Sequence, residues 1–155
     1  MSVLPCTDRP TPERTPVSAD PAASPPLRLS ATVLGSPDPG ALAAYYRELL
    51  RWEVRLEEPE WVVLAPPGGG AGLSFQLEAD HVPPVWPQGR GDQQMQLHLD
   101  VAVEVVGDDP SGSLAAAAER AVALGGRLAR DQPQDDVRVV LDPAGHPLCL
   151  FLPEG

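Results

Sequence analysis

Two stretches of the chain carry the same one-sided spacing, and this repetition limits the fold more than any other feature. Leu42, Tyr45, Tyr46, Leu49 and Leu50 follow the i, i+3, i+4, i+7, i+8 pattern of a helix with one apolar face. Leu114, Ala117, Ala118, Ala121 and Val122 repeat that pattern, each 72 positions after its counterpart. The flanking segments repeat too. In the first half "LRLSATVL" precedes the helix, and "WEVRL", "EWVVLAP" and "LSFQLE" follow as strands. In the second half "MQLHLDVAVEV" precedes the helix, and "GRLARDQ", "VRVVLDP" and "PLCLFLP" follow. Each half therefore reads strand–helix–strand–strand–strand. One helix cannot cover both faces of such a sheet, so the two βαβββ modules are expected to pack together as one α+β fold.

Local signals agree with this division. Asp38 stands before Pro39 as a helix N-cap, because a carboxylate accepts from the free N–H groups of a first turn and proline there lacks one. "GDDPSGS" is expected to be a loop that offers capping residues to the second helix. "GGG" at 68–70 lacks the lysine and following helix of a phosphate loop, and reads as a hairpin turn. Residues 1–26 are rich in Pro, Ser, Thr and Ala without an apolar period, so they are expected to be a disordered tail. The domain is expected over residues 27–155. Its first module is 27–80, its linker 81–93 and its second module 94–155. Trp86 lies in the linker and is expected to pack on the domain edge or at a ligand mouth.

The charge balance excludes one class of partner. Eleven basic residues stand against 22 acidic ones, a net charge of −11, whereas a nucleic-acid binder needs a basic face. No apolar run reaches the roughly 18 residues of a membrane helix. Cys6 and Cys149 form neither a disulfide framework nor a zinc knuckle, and no signal-peptide pattern opens the chain, so the expected location is the cytoplasm. All eleven basic residues are arginine, and lysine, isoleucine and asparagine are absent, a composition that suggests a GC-rich bacterial genome.

Chemistry-bearing residues gather on the strand "QMQLHLDVAV". Alternation puts Gln94, Gln96, His98 and Asp100 on one face and Leu97, Leu99, Val101 and Val103 on the other. Three readings stand for His98: a metal ligand, a group that touches or protonates a bound molecule, or a hydrogen-bonded strand histidine. Asp100, two residues on, raises imidazole basicity if the two side chains meet. His81 and His146 lie in loops and read as solvated or turn residues. Tyr45, Tyr46, Trp52 and Trp61 read as packing residues.

Paired modules of this kind, together with "SPDPGALAAYYRELLRWEV", "AVALGGRL" and the turn in "VVLDPAGHPLCLF", resemble the vicinal oxygen chelate superfamily over about residues 28–152. That group includes glyoxalase I, the bleomycin-resistance proteins and the extradiol dioxygenases. The resemblance implies a curved mixed sheet folded into a cup, with helices on the outside. It also implies four positions that hold a divalent ion in the metal enzymes, and these fall on Ala31, Gln76, His98 and Cys149. Alanine offers no donor, the Gln76 amide is a weak neutral one, and a thiol is soft and stays protonated when buried. No cofactor is therefore expected, and a divalent metal is disfavoured. The function expected is a glyoxalase- or bleomycin-resistance-like protein that holds a small organic molecule through Gln76, Gln96, His98, Asp100, Cys149 and Trp86. The alternative is a lyase, isomerase or dioxygenase of the glyoxalase kind, using His98, with Asp100 as its partner, and a divalent metal. Proteins of this kind often form dimers, because two half-cups must close on each other within a chain or between chains, and a homodimer is expected.

Overall fold

The computed structural model describes residues 25–153. Apart from its last two residues, the expected tail at 1–26 lies outside the described residues. The order of elements is β1 (Ala31–Ser36), α1 (Pro39–Leu50), β2 (Glu53–Glu58), β3 (Trp61–Ala65), β4 (Gly72–Leu77), β5 (Leu99–Ala102), α2 (Pro110–Ala123), β6 (Arg127–Leu128), β7 (Val137–Leu141) and β8 (Pro147–Phe151). This is an α+β fold of two βαβββ modules. Each forms a four-stranded mixed sheet, in the order β1-β4-β3-β2 and β5-β8-β7-β6. In each sheet the strand before the helix pairs parallel with the last strand, and the other pairs are antiparallel.

The first helix begins where the sequence places it, at Pro39, whereas the second begins at Pro110, inside the "GDDPSGS" stretch expected to be a loop, because Asp109 supplies the cap there. Asp38 caps α1 by accepting from the Ala41 N–H at 2.9 Å, and Asp109 caps α2 by accepting from the Gly112 N–H at 2.8 Å. Each helix lies on one face of its own sheet, α1 against β3 and β4, α2 against β7 and β8. Among the described residues no helix covers the opposite face of either sheet. Leu42, Tyr46, Phe75, Leu114 and Leu148 belong to one core that joins the modules. Tyr46 is edge-on to Tyr45 at 5.1 Å and stacks on Phe75 at 5.5 Å between ring centroids. Its hydroxyl donates to Asp142 at 3.0 Å, tying α1 to the turn between β7 and β8.

Two strands are shorter than the alternation suggests. The strand expected across residues 95–105 is confined to Leu99–Ala102. Among the described residues β5 is an edge strand paired only with β8, and β8 begins at Pro147, opposite residue 98 in the parallel register, where there is no N–H to donate. Residues 95–98 are therefore irregular, and the expected shared face of Gln94, Gln96, His98 and Asp100 breaks between Gln96 and His98. In "GRLARDQ" only Arg127 and Leu128 are strand. There the Gln132 amide replaces the ladder, donating to the carbonyls of Ala129 and Val139 and accepting from the Val139 N–H.

Candidate functional site

The uncovered face of the second sheet carries the polar cluster. His98 stands just before β5, and Asp100 follows two residues later on the same side, with Nε2 of His98 3.2 Å from a carboxylate oxygen of Asp100. Parallel pairing sets Asp100 directly beside Cys149 of β8. One donor atom each from His98, Asp100 and Cys149 lies within 4.8 Å of the others. Burial pushes the Cys149 thiol pKa up, and the Asp100 charge and a hydrogen bond to that carboxylate push it the same way. A thiol held protonated is a weak donor rather than a nucleophile.

An apolar wall adjoins this cluster. Trp86 reaches from the linker over Ala129, Val139 and Leu141, with Cys149 at the same contact, so it packs on the domain edge and borders a cavity at once. Its indole N–H is buried without a partner among the described residues. Trp86, Met95, Val137 and Val139 line one side of a cavity of about 190 Å³, and His98, Gln134 and Cys149 line its polar side. A shallower space of about 280 Å³ continues it past Asp100 and Phe151. Met95 and Gln134 lie in irregular segments, where alternation gives no guide to which side chains face the cavity.

The remaining expected site residues lie elsewhere. Gln76 is on the first sheet, exposed, with its amide donating to Glu78 at 3.4 Å, and no residue of that sheet lines the two cavities beside His98. Gln96 lines a different cavity, beside His81 and His146. Ala31 sits in β1 opposite Gly72 and offers only a methyl group. Of the four positions implied for a metal, His98 and Cys149 line the cavities described above, and Ala31 and Gln76 do not. His98, Asp100 and Cys149 do converge, and the soft sulfur in that set suits a borderline ion better than a hard, oxygen-seeking one.

The two loop histidines are not simply solvated. His146 has its Nδ1 3.0 Å from Asp142, whose side chain is fully buried, and His81 has its Nε2 2.8 Å from the Ala144 carbonyl. The one sequence signal for this was the i, i+4 spacing of Asp142 and His146 across a tight turn.

A family model described as "Glyoxalase-like domain" matches residues 31–151. No curated protein matches the chain. Among solved structures, a glyoxalase-related enzyme from Fulvimarina pelagi is 22% identical, covering 81% of this chain and 88% of its own, with a TM-score of 0.60. A glyoxalase/bleomycin resistance protein/dioxygenase family enzyme from Burkholderia phytofirmans PsJN is 14% identical, covering 80% and 97%, with a TM-score of 0.58. The bleomycin-binding protein of Streptomyces verticillus, complexed with copper(II)-bleomycin, is 15% identical, covering 84% and 100%, with a TM-score of 0.53. At these identities the structural likeness is one of fold.

Proposed function

Because the chain belongs to the glyoxalase-like domain family, we propose that it binds a small organic molecule on the uncovered face of the second sheet, without a divalent metal at the family's ligand positions. The observation that carries this reading is the union of an apolar wall with a polar edge in one cavity: Trp86, Met95 and Val139 against His98 and Cys149. Such a site holds a flat, largely apolar body by burial and fixes its orientation through a few hydrogen bonds. Neither cavity beside His98 is lined by an arginine, while Asp100 stands at the edge, so the ligand class is neutral or cationic rather than anionic. His98 and Asp100 then meet a polar group of the ligand, and Trp86 covers its planar part.

The reading takes residues 27–155 as one functional domain, the 81–93 linker supplying Trp86 between the two modules. It also takes the protein to be a cytoplasmic bacterial homodimer. The cavities beside His98 receive nothing from the first sheet of the same chain, whose own uncovered face carries Gln76. A second copy closes that open side. Among the described residues no helix is long and apolar enough to cross a membrane.

The test is a thermal-shift screen of chelator-treated protein against aromatic metabolites and natural products. A ligand present at 100 times its Kd adds about 2.7 kcal/mol of stability, which is a readily measured rise in Tm. Hits are expected to lose their effect in Trp86→Ala and weaken in His98→Ala. A hit that stabilises both variants as well as the parent does not bind here, and a screen without hits sinks the reading.

A further inference from the structure

Another cavity, of about 220 Å³, lies where the linker meets β1 and the turn between β7 and β8, with a largely apolar lining into which a few polar groups are set. His81 of the linker and His146 of the turn both line it, with ring centroids 5.1 Å apart. We propose that His81 and His146 together bind one borderline transition-metal ion, of the Zn²⁺, Ni²⁺ or Cu²⁺ class, at this cavity.

The argument runs from the partners of the rings. A carbonyl oxygen only accepts, so the neutral His81 ring carries its proton on Nε2, donated to Ala144, and leaves the Nδ1 lone pair free. A carboxylate likewise only accepts, so His146 donates from Nδ1 to Asp142 and leaves the Nε2 lone pair free. A backbone carbonyl and a carboxylate are the two partners that metal-ligating histidines typically use to fix tautomer and ring orientation and to raise donor strength. Here both arrangements occur side by side.

The Asp142 carboxylate is itself immobilised. It accepts from the Tyr46 hydroxyl at 3.0 Å and from the backbone N–H groups of Ala144 and His146 at 2.9 Å each. Its negative charge behind His146 favours a cation in front of that ring. No cationic side chain lines the cavity, and the nearby amide of Gln96 offers a further oxygen. Imidazole nitrogen suits zinc, copper and nickel better than the harder magnesium or calcium. Met95 lines both this cavity and the one beside His98, but neither His81 nor His146 lines the latter, so the proposal does not depend on the small-molecule reading.

The experiment titrates tag-free, chelator-stripped protein with Zn²⁺ and with Ni²⁺ by calorimetry. One ion per chain is expected, with affinity falling at least about ten-fold in His81→Ala and in His146→Asn, and unchanged in His98→Ala. Asparagine at 146 keeps an N–H for Asp142 while removing the ring donor, so the turn is retained. Pulsed electron paramagnetic resonance of the Cu²⁺-loaded parent reads the site without any substitution. The chain has three histidines, so two imidazole nitrogens on copper that persist in His98→Ala must come from His81 and His146. Absence of binding overturns the proposal, as does an ion lost in His98→Ala or Cys149→Ser but kept in both loop variants.

Discussion

Tyr45 and Tyr46 are neighbours in sequence and both buried, yet their hydroxyl groups have opposite energetic meaning. That of Tyr46 donates to the buried Asp142, and burial with the adjacent carboxylate drives its pKa well up. Removing it in Tyr46→Phe deletes a hydrogen bond to a charged group, so unfolding in urea is expected to show a loss of roughly 1.5–3 kcal/mol. The Tyr45 hydroxyl is buried without a partner among the described residues. Tyr45→Phe removes a desolvated polar group and is expected to be neutral or stabilising. Equal losses in the two variants would mean that Tyr45 does have a partner. Cys149 gives a residue-scale dependence on pH. Its thiol pKa is raised, so in a Cys6→Ser background its alkylation by iodoacetamide should reach half-maximal rate above the pH of an ordinary thiol. Asp100→Asn removes a charge that favours the protonated form and should move the midpoint down. The sign for stability follows: the folded state holds this proton more tightly, so the contribution is intact below the ordinary thiol pKa and is lost as pH rises through the raised one.

The two helices show which elements a sequence of this kind discloses. A cap, a proline at the first position and an apolar stripe are local signals, and all three coincide at Asp38–Leu50 and Asp109–Ala123. Asp38→Ala and Asp109→Ala should each cost about 1 kcal/mol, read as a fall in the urea midpoint with unchanged m-value. A negligible cost at both would show that the caps are replaced by water. Strands depend on partners that a linear reading cannot supply. The alternation of "QMQLHLDVAV" is real, but β8 begins at Pro147 and leaves residues 95–98 without a ladder. The same limit governed the site. His98, Asp100 and Cys149 were legible because one face of a strand and its parallel neighbour hold them. The resemblance groups Gln76 with them in one cup, and alternation groups Gln96 with them on one strand face, whereas Gln76 stands on the other sheet and Gln96 lines the His81 cavity. Nor does any local pattern tell that the linker returns to the β7–β8 turn, where a carbonyl of that turn fixes His81.

At the scale of the whole molecule, charge opposes the association of the proposed homodimer. Each chain carries −11, so two copies approaching face to face repel across the solvent that separates their acidic surfaces. The faces to be joined are not themselves strongly cationic: Arg55 on the exposed β2 is already paired with Glu53 at 3.1 Å. Association must therefore come from burial of sheet faces and must work against a long-range field. Screening shortens that field from about 30 Å at 0.01 M salt to about 8 Å at 0.15 M. Dimerisation measured by sedimentation velocity should accordingly tighten across this range, the Kd falling several-fold, while a ligand for the His98 cavity should tighten it further by closing the site. A Kd that rises with salt would show that opposite charges make the interface. A chain that stays monomeric at every salt concentration, with ligand bound, would leave the half-cup on the second sheet as the complete site.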